Sequence, residues 1–361
     1  MLGISIYPDK QDKQEIIKYI KLAAKYNFKR IFSCLLSINK EPNEIKKEFL
    51  EINKLANDLG MMVVLDVNPK VFDKLGISYN NLSFFKDIKA NGVRLDMGFD
   101  GKTESDMTYN EQDLYIEINM SLESKYIDNI MSCIPNKNKL IACHNFYPQR
   151  YTGLSLPFFI NSSKKCKDFH LRTAAFVTSS CKIGPWPLNH GLPTLEIHRD
   201  LDIKSQAKHL FATKLIDDVI IGNAFATEKE LKSLGSIDPN IITLSLLKSS
   251  LKNTTDLEKE ILFNNKHFRR QDTNDYSIRS TQSRVKYKDK DFPVHDTPKI
   301  LNRGDVVICN NNLKQYKGEL QIVLKEHENI EFGKNVVGKI NPEELILLDY
   351  IKPIGKFSFE E

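Results

Sequence analysis

Two rhythms alternate along the first two thirds of the chain. Short apolar runs of strand length read "LGISIY" (2–7), "RIFSCLL" (30–36), "MMVVLDV" (61–67), "GVRLDMG" (92–98), "YIEINM" (115–120), "KLIACHNF" (139–146), "LRTAAFVTS" (171–179) and "DVIIGNAF" (218–225). Between them the apolar positions fall at helical spacing. Ile45, Phe49, Ile52, Ala56 and Leu59 share one helix face with Gly60 as the stop; Ile16, Ile20 and Ala23 form a second stripe, and Ile127, Ile130, Met131 and Ile134 a third. Eight strand–helix units predict a parallel α/β fold, either an open doubly wound sheet or a closed (β/α)8 TIM barrel, and eight strands within about 230 residues favour the barrel. No GxGxxG or GxxxxGK[ST] follows the first strand, which removes the usual nucleotide signatures. After Gly235 the rhythm changes. "NIITLSLLKSSLKNTTDLEKEILF" reads as a connecting segment, and "YSIRSTQ", "DVVICNNN", "GELQIVL", "NVVGKI", "LILLDYIKP" and "GKFSFE" as short strands of a small all-β domain. The expected division is 1–237 for the barrel and 238–361 for the rest.

Alternation along each strand predicts which side chains enter the barrel lumen. With Val93 and Leu95 facing the helices, Arg94 and Asp96 face inward; by the same rule Ser5 and Tyr7, and Glu117, Asn119 and Ser121, point inside. In the sixth strand Ile141 and Cys143 are expected outside, leaving Ala142, His144 and Phe146 inside. The third strand is apolar on both faces up to Asp66, which is placed inward with Val64 and Asn68. Arg94 then lies one layer down beside Glu117, a pairing expected to be a structural ion pair. Asp96 stands at the mouth with Asn119, His144, the adjacent Asn145 and Asp66, a convergence of polar groups at the rim where barrel active sites sit. Two long loops follow strands six and seven: "HNFYPQRYTGL" (144–154) carries Arg150, and residues 179–200 carry Trp186, Glu196, His198 and Arg199. Thr227 and Glu230 have capping-box spacing at a helix start after strand eight, a place where this fold often seats phosphate.

Composition narrows the chemistry. Hydrophobic residues make up 41% and charged residues 27%, and the net charge of +5 is spread along the chain, so a nucleic-acid partner is not expected. No apolar run approaches a membrane span, and the chain opens on a strand rather than a secretory leader. Six cysteines without CxxC spacing suit a reducing compartment, and the location expected is cytoplasmic. His144, His190 and His198 form no metal-ligand pattern. Carboxylates, amides and the aromatic residues Tyr7, Phe146, Tyr147 and Trp186 around one rim suit a sugar better.

Longer strings sharpen this. "GISIYP", "LDVNP" (65–69), "RLDMGF" (94–99), "EINMS" (117–121), "HNFYPQRYTGL", "GLPTLEIHR" (191–199), "IIGNAFA", "YSIRSTQSR" (276–284), "YKGELQIVL" (316–324), "NVVGKI" (335–340) and "LLDYIKP" (347–353) together resemble the 6-phospho-N-acetylmuramidases over nearly the full length. Asn223 in "GNAF" departs from the family pattern, which has an acidic residue there. The resemblance implies a TIM barrel followed by a cyclophilin-like β-barrel. It also implies a glycosidase that hydrolyses the β-1,4 bond of N-acetylmuramic acid 6-phosphate–N-acetylglucosamine in cell-wall recycling, without metal or organic cofactor. A phosphorylated amino-sugar disaccharide is then the expected partner, with no membrane contact; a homo-oligomer is compatible with this reading. Glycoside hydrolysis asks for two carboxyl groups about the bond; Asp66 and Asp96 are the first choice and Glu196 the reserve acid. Tyr7, Arg94, Asn119, His144, Asn145, Arg150, Arg199 and Arg279 are the expected substrate contacts, with Arg150 favoured for the 6-phosphate and Arg279 or Arg284 as alternatives. Retaining, inverting and substrate-assisted routes all remain open at this point. The competing reading is a non-catalytic phosphosugar-binding or sensor protein.

Overall fold

The computed structural model describes residues 1–35, 41–122, 124–181, 183–187 and 190–361. It contains two compact units, Met1–Ile237 and Asp238–Glu361. In the first, β1 (Leu2–Ile6), β2 (Phe28–Cys34), β3 (Met62–Val67), β4 (Gly92–Leu95), β5 (Tyr115–Asn119), β6 (Leu140–Cys143), β7 (Arg172–Val177) and β8 (Asp218–Ile221) pair in parallel and close with β8 against β1, giving a TIM barrel. The predicted second strand ran to Leu36, which lies outside the described residues, as do Lys182, Leu188 and Asn189 of the long loop 179–200.

The helices form because their apolar stripes cover the outer face of the barrel. Ile16 and Ile20 from helix Lys13–Lys25, and Phe49 and Ile52 from helix Pro42–Asp58, pack in one core with Ile4, Ile31, Val63, Val93 and Ile116 from the strands. Asp12 caps the first of these helices, accepting from the amides of Gln14 (2.8 Å) and Glu15 (3.2 Å). Gly60 follows the second at φ 71°, a left-handed conformation that suits glycine at a helix stop. A separate cluster fills the lumen: Tyr7, Phe32, Cys34, Cys143, Phe176 and Ile220.

Lateral register decides the inward faces, because residues paired across a parallel sheet share a side. Cys34 pairs with Asp66, Asp66 with Arg94, Arg94 with Glu117, and Glu117 with Ile141. The inward assignments of Ser5, Tyr7, Asp66, Arg94 and Glu117 agree with this row. Strand six is the correction. Asn119 pairs with Cys143, so Ile141 and Cys143 face the lumen, while Ala142 packs outward with Ile118 and Leu140. All four residues of β6 are buried, so hydrophobicity carries no parity signal there.

The second unit has three sheets. β9 (Ile242–Ser245), β10 (His267–Phe268) and β17 (Lys356–Glu360) form one, and β11 (Ser277–Ser280), β13 (Asp305–Cys309), β14 (Leu320–Val323) and β16 (Lys334–Lys339) another; β12 (Ile300–Leu301) and β15 (His327–Glu328) pair as the third. Two local expectations change. The supposed connecting segment supplies β9, which pairs in parallel with β17. "LILLDYIKP" is no strand; Pro342–Tyr350 is 3-10 helix, started by Asn341, whose side chain accepts from the Glu343 amide (3.2 Å). A short apolar run without alternation fits either conformation, and the cap decides it.

Candidate active site

Arg94 rises from β4 into the carboxyl-terminal mouth of the barrel and organises it. Its Nη1 donates to Asp66 Oδ1 at 2.6 Å and to Asp96 Oδ1 at 3.3 Å, and its Nη2 donates to Asn145 Oδ1. Glu117, the expected partner, is reached only at 3.9 Å from Arg94 Nε. The reason is a residue that sequence reading missed. Arg30, on β2 and fully buried, donates to Glu117 Oε2 and, through Nη1, to Asp218 Oδ2 at 2.7 Å; Arg172 adds two bonds to Asp218 at 2.9 Å. Gly3 sits beside Arg30 in register, and a Cβ there would approach the Arg30 backbone oxygen and Cβ to 3.2 Å, so the missing side chain gives the guanidinium stem its room. The signal for Arg30 was its parity with Phe32 and Cys34, obscured because β2 is apolar on both faces.

Above this floor lies a cavity of about 110 Å³ with two unlike walls. Asp66, Arg94, Asp96 and Asn145 make the polar one; Phe32, Cys34, Phe146, Phe176, Pro185 and Trp186 make the other. Phe32, Phe146 and Phe176 pack edge to face with ring centroids 5.0–6.0 Å apart. The two carboxylates differ sharply in environment. The Asp66 side chain is 7% exposed, and burial, reinforced by the Asp96 charge, pushes its carboxyl up to about 7 in spite of Arg94. Asp96 is 34% exposed, at the mouth.

Neighbouring groups hold this wall. The Asn119 amide donates to the Asp96 carbonyl (3.2 Å) and its oxygen accepts from the Ser121 amide (2.9 Å), so Asn119 is placed to fix the backbone under Asp96. Ser121 Oγ accepts from the Asn145 amide, and Thr194 Oγ1 donates to the Asn145 carbonyl, both at 2.9 Å. Tyr7 lies in the lumen with its hydroxyl donating to the Gly222 carbonyl at 2.5 Å.

Several expected contacts stand elsewhere. His144 follows the outward side: its ring lies 4.8 Å from that of Phe159, with Nδ1 at 3.0 Å from Ser121 Oγ and Nε2 at 2.9 Å from Ser163 Oγ on helix Leu156–Asp168. Burial there lowers the imidazole to about 3, so it stays neutral. Glu196 gives way as reserve acid. Its carboxylate accepts from Arg199 Nε and Nη2 (2.7 Å each) and from the amides of Tyr151 and Gly153 (2.8 Å each). The Arg199 hydrogen bonds lead in holding it down at about 2, the reverse of what a proton donor needs. Arg199 also donates through Nη1 to the carbonyls of Tyr147 (3.1 Å), His190 and Gly191 (3.2 Å each), so its fork is occupied in tying the two long loops together. Arg150 makes a bidentate pair with Asp200, 2.7 Å on each arm. Arg279, in the second unit, is paired with Glu319 at 2.7 and 3.1 Å. The helix start after β8 is closed by its own capping box, Glu230 accepting from the Thr227 amide (2.8 Å), which puts a carboxylate where a phosphate seat was considered.

Asn223 accepts from Thr178 Oγ1 (2.8 Å) and the Ser179 amide (3.1 Å). Among the described residues no group of three or more His, Cys, Asp or Glu could hold a metal ion, and no helix is long and apolar enough to cross a membrane.

Comparison with known proteins adds the family. Two family models match, described as the N-terminal part (residues 2–236) and the C-terminal part (residues 245–360) of 6-phospho-N-acetylmuramidase. A crystal structure described as an uncharacterized B. cereus protein is 48% identical, with a TM-score of 0.92 and coverage of 100% of this chain and 99% of that one. A conserved Enterococcus faecalis protein of unknown function is 22% identical with a TM-score of 0.74, covering 100% and 96%, and shares the fold. No curated protein matches the chain.

Proposed function

The chain belongs to the 6-phospho-N-acetylmuramidase family and is a glycosidase, and from that premise we propose that its barrel hydrolyses the β-1,4 bond of N-acetylmuramic acid 6-phosphate–N-acetylglucosamine, using Asp66 and Asp96. The observation that carries this reading is the pair of carboxylates bridged by Arg94 in a cavity with one polar and one aromatic wall. Asp66, with its carboxyl pushed up to about 7, keeps a proton in the neutral range and is assigned as the acid that protonates the leaving glycosidic oxygen. Asp96, at the open edge, is assigned as the second carboxylate, supporting positive charge at the anomeric carbon or orienting the 2-acetamido group. Arg94 and Asn145 position both, and the aromatic wall takes the apolar face of a sugar ring.

The cavity is small beside the ~300–1,000 Å³ of enclosed ligand sites, so it would seat the reacting centre while the rest of the disaccharide lies across the rim. For the 6-phosphate, Arg150 is the barrel's candidate. Its pair with Asp200 is exposed, so water and salt screen it and a phosphate can take the carboxylate's place. The second unit is read as the family's cyclophilin-like module, and its four-stranded antiparallel sheet supports that reading. A cytoplasmic role in cell-wall sugar recycling rests on the family resemblance and on six cysteines that form no disulfide among the described residues.

The test is direct. Incubating the protein with the phosphorylated disaccharide should release two monosaccharides, and tight binding without turnover would restore the sensor reading. The unphosphorylated disaccharide should be the poorer substrate.

A further inference from the structure

Asp96 stands on a loop, not on a strand. Strand β4 ends at Leu95, and residues 96–101 cross to the helix Lys102–Met107 without regular structure of their own. One end of this loop is fastened to the barrel: the Asp96 amide donates to the Val67 carbonyl (3.0 Å), and the Asp96 carbonyl accepts from the Asn119 side chain (3.2 Å). The Asp96 carboxylate has one long bond among the described residues, from Arg94 Nη1 at 3.3 Å. A side chain so lightly held takes its position from the backbone beneath it.

Glu104 fastens the other end. It is fully buried; its Oε1 accepts from the Phe99 amide (2.6 Å) and the Tyr126 hydroxyl (2.8 Å), and its Oε2 from the Gly101 amide (2.7 Å). The Gly101 bond is the ordinary return of a capping box at a helix start. The other two reach beyond it, since Phe99 lies before the helix and Tyr126 comes from another one, Ser124–Ser132. Three donors converge on two oxygens, a place that suits a carboxylate; glutamine would turn an NH2 group toward an N–H donor. Burial first, then the Glu104 charge, raises the Tyr126 phenol, so it keeps its proton and donates. The loop also packs directly on Tyr126. A Cβ on Gly98 would stand 2.6 Å from Tyr126 Cε2, and one on Gly101, at φ 85°, 2.9 Å from Asn129 Cβ, so these two glycines admit the second helix to the loop. Phe99 adds a further contact, its ring edge-on to Tyr79 with centroids 4.8 Å apart.

We propose that Glu104 and Tyr126 are positioning residues for Asp96, holding the loop 96–101 so that its carboxylate meets the reacting centre, a role that presupposes Asp96 as the second carboxylate of hydrolysis. Neither side chain lines the cavity, and both act through the backbone that carries Asp96. A helix cap alone would need neither the Phe99 bond nor the phenol. Misplacing a catalytic group by about 1 Å costs on the order of 10²-fold in rate, so the set of these six loop residues bears directly on turnover.

Hydrolysis of the phosphorylated disaccharide by the full chain, measured per folded molecule beside a thermal melt, tests it. Tyr126→Phe keeps the ring against Gly98 and removes one bond to Glu104. It should lower kcat by about tenfold with KM little changed, and Glu104→Gln should lower it by about a hundredfold. Tyr109→Phe removes a comparable phenol bond, to the Ile134 carbonyl (2.8 Å), and should leave kcat unchanged. In an Asp96→Asn background, Tyr126→Phe should slow the residual reaction no further, because its effect passes through Asp96. The proposal fails if Tyr126→Phe and Glu104→Gln keep full kcat per folded molecule, if Tyr109→Phe is as slow as Tyr126→Phe, or if the losses of Tyr126→Phe and Asp96→Asn multiply. Each of those outcomes is compatible with a slow Asp96→Asn. A fully active Asp96→Asn would instead overturn the role of Asp96 in hydrolysis, and the positioning role with it.

Discussion

Two arginine–carboxylate networks lie one above the other in the same barrel, and they behave oppositely. In the floor, Arg30 and Arg172 serve Asp218, and Arg30 also serves Glu117. Burial pushes the Asp218 carboxyl up, but the two guanidinium groups outweigh it and hold it below the usual carboxylate range. At the rim one guanidinium, Arg94, is divided between Asp66 and Asp96. There burial wins, and Asp66 is raised to about 7. Both regions use the same residue types at similar distances. The difference is the ratio of cations to carboxylates and the access to water. A matched, closed network stabilises a fold; an under-matched one at an open mouth keeps a proton available for chemistry.

The largest expected effect is at the rim. Asp66→Asn and Asp96→Asn should each reduce hydrolysis by about 10²–10⁴, the range for loss of an acid–base group, while a thermal melt shows the fold retained. If either variant instead melts early and its folded fraction is fully active, that carboxylate belongs with the floor. Breaking the floor should do the reverse. Arg30→Met leaves Glu117 and Asp218 short of charge in the lumen and should cost about 3–5 kcal/mol in denaturant unfolding, with turnover per folded molecule little changed. Arg94→Ala is the weaker probe of stability, because Glu117 keeps Arg30.

Arg150→Ala should narrow the preference for the phosphorylated disaccharide by roughly ten- to a hundredfold, read as a ratio of kcat/KM values, if Arg150 meets the phosphate. Equal turnover of both disaccharides by the unaltered protein would remove the phosphate contact from the barrel altogether.

The pH dependence sharpens the contrast further. As the acid, Asp66 must be protonated, so kcat/KM should fall as pH rises through about 7, and that limb should vanish in Asp66→Asn. The same shift appears in stability. The native carboxyl holds its proton more tightly than the unfolded chain, with its ordinary value of 3.8, so this contribution is full below that pH and is lost as pH climbs through about 7. Asp66→Asn should flatten the stability curve over that window. The smallest effect is expected from Glu196→Gln. Its depressed carboxyl adds stability above the ordinary 4.5 that is lost as pH falls through about 2, and the substitution should leave turnover per folded molecule and the limb near pH 7 in place.

Much of this architecture is written locally. The eight strand–helix units, the change of rhythm after Gly235 and the inward faces of β1, β4 and β5 follow from periodicity, because one side of each element is apolar and the other is not. The strings that carry the family are likewise contiguous. What sequence could not supply is the pairing of side chains from strands far apart. Glu117 has Arg94 in register on the adjacent strand, yet it is served by Arg30 from across the lumen. His144 has the alternation of a lumen residue, but β6 is buried on both faces, and only the register with Asn119 shows that Cys143 takes the inward place and His144 turns to the helix layer. Glu196 and Arg199 read in the chain equally well as reserve acid and substrate contact or as an ion pair; in three dimensions they meet each other and the backbone of two loops. Periodicity reports which face a residue occupies. Barrel closure decides which charges share that face, and their ratio and burial, set only on closure, decide which carboxylate holds a proton.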